Sequence, residues 1–154
     1  MAANIDQRNK SITYLLNGTN LALKQVVPID YKLSKPNIQK DPIHVRFGVF
    51  IGIVGDIKGK LVLVGNKEAF ASIGEVMFGM PIEGKMLTSF SGELGNMVAG
   101  NVSTFIANDG LNIDITSPSI IEGDATVSGY VLAIQQRAVF VNGVYLDIYL
   151  LLDE

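Results

Sequence analysis

Cysteine and tryptophan are absent from this chain, and histidine occurs once. Without cysteine there is no disulfide framework, no thiolate nucleophile and no thiolate metal site. The single histidine, His44, has no companion with which to hold zinc. Placed between Ile43 and Val45 in a β-rich run, it reads as a structural or surface residue. Basic clusters are lacking too. Twelve Lys and Arg against fifteen Asp and Glu leave a net charge of −3, which argues against nucleic acid, whose phosphates attract a concentrated positive patch. No apolar stretch nears the roughly 18 residues that a membrane span needs. Met1 to Lys10 has neither the charged start nor the apolar middle of a secretory signal, so a cytoplasmic location is expected. No glycine-rich loop follows a strand in the form a nucleotide site requires.

What is present suits one domain spanning residues 1–154, long enough for one core. The hydrophobic share of 48% is high enough to suggest that part of the surface is an interface. Residues from about Ile5 to Val27 show helical spacing of apolar residues, interrupted by Asn17-Gly18 and ended by Pro28. An extended piece, Ile29 to Leu33, precedes a loop bracketed by Pro36 and Pro42. A long β run, Ile43 to Val54, turns at Gly55-Asp56 to Gly59 into a strand, Lys60 to Val64. Asn66 is placed to cap a helix that runs to Phe78, with Gly79 and Pro81 as its stop. A second long helix is expected over about Gly84 to Asn108. The remainder is β: Leu111 to Thr116, Ser119 to Glu122, and two strands about Asn142-Gly143, the strongest hairpin signal in the chain.

A faint repeat is visible. Ile29-Asp30 and Ile113-Asp114 each follow a helix and precede a proline, Pro36 or Pro118, and a long hairpin. The order suggests two duplicated half-domains whose hairpins share one antiparallel sheet with long helices on one side, an α+β arrangement. Residues 1–28 contain no glutamate, so the two copies cannot carry the same polar pattern.

The second helix is the informative one. Ser89 to Asn101 accepts three glycines, Gly92, Gly95 and Gly100, each costing roughly 1 kcal/mol relative to alanine in a helix interior. At about 100° per residue, Ser89, Glu93, Asn96 and Gly100 fall within roughly 60° of one another. Leu87, Phe90, Leu94, Met97, Val98 and Phe105 make a core face, and Gly92, Gly95 and Ala99 a nearly bare strip. Glu-x-x-Asn is a weak motif by itself, and a solvated helix face is its plainest reading. The chemistry is nonetheless suggestive. A carboxylate pairs with a cation, and a carboxamide donates and accepts at once, which suits holding a water in line with a phosphorus atom.

Ser89-x-x-x-Glu93-x-x-Asn96, with Pro118 after a strand, resembles the signature of the CheC/CheX/FliY family of chemotaxis phosphatases. The runs Gly92 to Gly100 and Ile113-Asp114-Ile115-Thr116-Ser117-Pro118 look most like its CheX branch, and a single site fits that branch rather than CheC, which carries the motif in both halves. The resemblance implies a CheC/CheX-like fold and hydrolysis of the aspartyl phosphate of a CheY-type response regulator. Asn96 would orient the attacking water and Glu93 would meet the regulator's active-site lysine. Ser89 and Pro118 would support the helix face and the following turn. Gly92, Gly95 and Gly100 would let the helix backbone approach its sheet or the regulator. Mg²⁺ would belong to the regulator, leaving this chain with no cofactor of its own, and a homodimer is implied. The apolar run Val144 to Leu152 reads as a core strand, or as an edge to be covered by a second copy.

Other candidates have plainer readings. Asp30 and Asp114 each follow an isoleucine in an extended segment, Asp56 and Asn142 are turn residues, and Lys58 and Lys60 flank a hairpin tip. Two alternatives to the enzyme stay open from sequence. One is a non-catalytic module that binds a phosphorylated receiver domain or a flagellar or signalling partner. The other is a degenerate scaffold whose helix is part of a dimer interface.

Overall fold

The computed structural model describes residues 2–153, with side chains from Asn9 onward; Met1 and Glu154 of the expected domain lie outside the described residues. Helix α1 is Ala2–Val26, uninterrupted at Asn17-Gly18. The glycine there answers to packing. A Cβ at Gly18 would stand 2.8 Å from Ile106 Cγ2 and 3.6 Å from the Val102 carbonyl oxygen, so α1 lies directly against the second long helix, here α3 (Gly84–Ala107). Between them α2 (Lys67–Phe78) begins as its sequence promised. Asn66 is extended and its Oδ1 accepts from Ala69 N at 2.9 Å, and Gly79 closes the helix at φ 73°, donating its N–H to Glu75 O.

Among the described residues eight strands form one antiparallel sheet: β1 (Tyr31–Leu33), β2 (Asn37–Ile38), β3 (Ile43–Gly55), β4 (Gly59–Val64), β5 (Ile113–Ile115), β6 (Ser119–Val127), β7 (Leu132–Phe140) and β8 (Tyr145–Leu152). The order is β1-β7-β8-β4-β3-β5, with β2 also on β7 and β6 also on β3. The two halves interlock by this pattern. β3 and β4 form one hairpin and β7 and β8 the other. They join at the centre, from Gly59 opposite Leu152 to Val64 opposite Asp147. The short strands are exchanged: β1 and β2 of the first half lie on β7, and β5 and β6 of the second half lie on β3. Each hairpin is thus completed by the other half's leading strands, in the same pattern on both sides.

Alternating side chains sort the sheet into two faces. One face carries Val49, Ile51, Ile53, Leu61, Leu63, Ile148 and Leu150 and packs with the buried sides of α1, α2 and α3 in a single core. Phe47 of β3 meets Phe70 of α2 edge-on at 5.1 Å. The opposite face holds a smaller cluster without helical residues: Ile43, Val45, Val62, Val127, Ala133, Tyr149 and Leu151. Ile43 and Val45 belong to this second cluster while Phe47 belongs to the first, and the β3–β6 register shifts between Val45 and Phe47. A bulge on β6, where Gly123 (φ 105°) and Asp124 together face Arg46, accompanies that change of face.

Several expectations need correction. Of the two readings of the C-terminal run, the core strand holds and the covered edge does not. β8 pairs with β4 on one side and β7 on the other, so its apolar residues are consumed inside the sheet and cannot pair with a second copy. The loop between Pro36 and Pro42 includes β2, bonded to β7. The strand from Ser119 runs to Val127 instead of Glu122. The Asn142-Gly143 hairpin closes through a three-residue loop, with Phe140 N bonded to Val144 O and Gly143 at φ 90°.

Candidate functional site

Helix α3 is the platform. Its buried residues are Leu87, Phe90, Ser91, Gly92, Leu94, Gly95, Val98, Ala99, Val102 and Ile106. The division into a core face and a separate bare strip therefore fails. Gly92, Gly95 and Ala99 sit within the core-facing side, because the sheet comes closest where the side chains are smallest. Met97 and Phe105, expected in the core, are half-buried at its margin.

The three glycines have three different surroundings. A Cβ at Gly95 would lie 2.5 Å from Val49 Cγ1 and 3.0 Å from Ile51 Cδ1, so the backbone of α3 rests on β3 itself. At Gly92 the same atom would make ordinary contact, 3.6 Å from Ile120 Cδ1 and 3.8 Å from Pro118 Cγ. At Gly100 it would meet nothing within 4 Å. Close approach to the sheet is a property of Gly95 alone, and Gly100 faces open space.

Pro118 is thereby placed beside the turn of α3 that carries Glu93. Its loop is held from behind. Thr116 Oγ1 accepts from Gly52 N at 2.8 Å, and Thr116 N donates to Gly52 O at 3.0 Å. Gly52 permits this, since a Cβ there would stand 2.9 Å from Thr116 Cγ2. Sequence reasoning missed this clamp between residues 64 positions apart, and no local signal marks Gly52 as its seat.

On the outer side of α3, Ser89 and Glu93 are exposed, and Asn96 and Gly100 are half-buried. Four of the helix's other polar side chains fold back onto its own backbone, and Ser103 donates to Ile113 O of β5. Thr88 bonds to Gly84 O, Ser91 to Leu87 O, Asn101 to Met97 O at 2.8 Å and Thr104 to Gly100 O at 3.1 Å. Ser89, Glu93 and Asn96 do not: among the described residues none of the three has a hydrogen-bond or ion-pair partner. Asn101 spends its amide on the helix, whereas Asn96 keeps both a donor and an acceptor free. The ridge is therefore a rigid row of unspent polar groups, one of them a carboxylate, on a helix fixed from below by Gly95. His44, by contrast, is far along β3, exposed, and shares a 3.3 Å contact with Thr126 Oγ1. Asp56, in the turn between β3 and β4, accepts from Asn112 N at 2.7 Å and so ties that turn to the segment before β5. Among the described residues no group of three or more His, Asp or Glu is arranged to hold a metal ion, and no helix is long and apolar enough to cross a membrane.

The fold and this ridge define an α+β protein that presents one face of a sheet-backed helix to its surroundings. The chain belongs to the CheX family: residues 47–136, which include the ridge and Pro118, match the family model described as chemotaxis phosphatase CheX. It is 29% identical over 116 residues to the "CheY-P phosphatase CheX" of Thermotoga maritima, covering 73% of this chain and 75% of that protein. Its fold is similar to that of CheX in the CheX-CheY-BeF3-Mg²⁺ complex from Borrelia burgdorferi, with a TM-score of 0.76 and 18% identity over 93% of this chain and 97% of the other. A CheC-like superfamily protein from Shewanella sp. PV-4 is similar at a TM-score of 0.71 and 26% identity, over 90% of this chain and 96% of that one.

Proposed function

We propose that this chain is a phosphatase of a CheY-type response regulator, hydrolysing its aspartyl phosphate. The observation that carries the reading is the unspent pair on α3: Glu93 exposed and Asn96 half-buried, neither bonded to any described residue of the chain, on a helix bedded against β3 at Gly95. Asn96 enters the regulator's active site, accepts from the attacking water with Oδ1 and aligns it with the phosphorus. Little covalent chemistry is left for the protein in phosphoryl transfer, so a fixed carboxamide is a sufficient catalyst. Glu93, one turn earlier, pairs with a lysine of the regulator and holds the register. Ser89 and Pro118 support the same turn region, and the open space over Gly100 admits the regulator's backbone. A lone carboxylate on the ridge is not a Mg²⁺ site, which takes an octahedral set of oxygens; the Mg²⁺ belongs to the regulator. The chain acts in the cytoplasm as a homodimer that does not form by strand pairing at β8.

The test is decay of a phosphorylated CheY receiver with and without the protein. Acceleration is expected for the native chain and its loss for Asn96→Ala, with the fold retained. Glu93→Ala is expected to weaken docking as well as rate. Wild-type rates in both variants would remove the ridge from the mechanism. Unchanged decay with measurable binding would make the chain a docking module.

A further inference from the structure

Beyond the ridge, the surface of this protein has an unusual apolar lip. Val76, Met77, Phe78, Met80 and Met86 are all exposed, with Phe78 and Met80 at 52% and Met86 at 44%. They fall within eleven consecutive residues that join the end of α2 to the start of α3. Scattered exposed apolar residues are ordinary, but a contiguous group of this kind marks a contact surface.

The lip is held in shape. Phe78 stands edge-on to Phe90 of α3 with ring centroids 5.6 Å apart. Gly79 turns the chain at φ 73°, and Ile82 folds back onto Gly74, where any side chain would collide with it. Ile82 is buried, so the connection is anchored while Met80 projects from it. Ordering it on binding would therefore cost little entropy. Methionine, flexible and polarisable, suits an apolar contact that has to adapt to a partner.

Its position says which partner. Met86 precedes Glu93 by seven residues, two helical turns, and so lies within about 20° of it on the wheel. Phe90, against which Phe78 is braced, is one turn beyond Met86 and within about 40° of it on the wheel, at the buried margin of that side. The lip and the polar ridge are thus one continuous surface, and a protein seated over Glu93 and Asn96 extends onto Met86, Phe78 and Met80. Exposed charges near the lip are mixed: Glu75 precedes it, Glu83 and Lys85 stand within it between Met80 and Met86, and Glu93 lies beyond. We infer that Phe78, Met80 and Met86 form the apolar half of the response regulator's docking surface and set its affinity, while the ridge supplies the chemistry. This rests on the functional reading above.

The test uses the double variant Met80→Gln with Met86→Gln. Both side chains are exposed, and glutamine keeps methionine's length and its helix propensity. Titration with a CheY receiver loaded with BeF3⁻ and Mg²⁺ is expected to show binding by the native chain and at least tenfold weaker binding by the variant. In turnover, KM rises correspondingly while kcat at saturation stays within about twofold. Met80→Gln alone, outside any helix, gives a smaller shift in the same direction and keeps the test independent of α3 folding. Equal affinity in native and variant chains overturns the inference and leaves the functional reading intact. A change from dimer to monomer by sedimentation in the variant also overturns it, assigning the lip to a second copy. Failure of the native chain to bind any loaded receiver overturns the functional reading itself.

Discussion

Gly95 of α3 lies against Val49 of β3 so closely that a Cβ would stand 2.5 Å from Val49 Cγ1. Both neighbours of that hypothetical atom, Val49 and Ile51, are fully buried β-branched residues with stiff side chains. The helix that carries the ridge is therefore set at a fixed height above the sheet by a missing side chain.

Gly95→Ala is expected to destabilise the protein. Overpacking a tight core costs about 1–3 kcal/mol, which outweighs the roughly 1 kcal/mol that alanine gains as a better helix former. For a chain of this size that is a fall in Tm of about 2–4 °C per kcal/mol. The same lift of α3 displaces Asn96 next door, so phosphatase rate falls more than stability alone explains. A rise in Tm would show that the helix can shift without strain.

Gly100→Ala is expected to do the reverse to stability. The added methyl meets nothing within 4 Å, so only the propensity gain remains, up to about 1 kcal/mol. On the proposed docking, affinity for the regulator is expected to drop, because the methyl would occupy the space over Gly100 assigned there to the partner's backbone. Higher Tm with unchanged affinity, measured by melting and by titration, would place the regulator elsewhere on α3.

Alkaline pH offers a test of the second cluster. Burial, with the Asp147 carboxylate adding to it, pushes the Tyr149 phenol above its usual 10.0. The folded state thus holds the phenolic proton more tightly than the unfolded chain does. The resulting stability is fully present below pH 10 and is lost as pH rises through the folded pKa. Denaturant midpoints are expected to be insensitive to this group up to about pH 10 and to decline above it. Tyr149→Phe keeps the ring and removes the ionisation, so its decline is shallower; Tyr31, also raised by burial, keeps its own share. Identical alkaline slopes would mean that Tyr149 ionises freely in the fold.

Local chemistry was readable along the chain. Asn66 and Gly79 punctuate α2 because a carboxamide cap and a left-handed glycine act on residues within one turn. The spacing of Ser89, Glu93, Asn96 and Gly100 puts them on one side of α3 by helical geometry alone, and all four are at least partly exposed there. The duplicated order of elements was visible as well, and with it the α+β class.

Tertiary structure decided what depends on a distant partner. Nothing near Gly95 in sequence separates it from Gly92 or Gly100; Val49 and Ile51, more than forty residues earlier, make it indispensable. An apolar strand has the same composition at an edge or in the middle of a sheet, and only pairing with both β4 and β7 makes β8 interior. The freedom of Asn96 beside the self-bonded Asn101 is likewise a matter of which way each side chain turns. Sequence determined which groups α3 carries and on which side, because those are set by the 3.6-residue period. How high the helix sits, what braces it and which polar groups stay unspent were settled by contacts across the fold, where period and propensity carry no information.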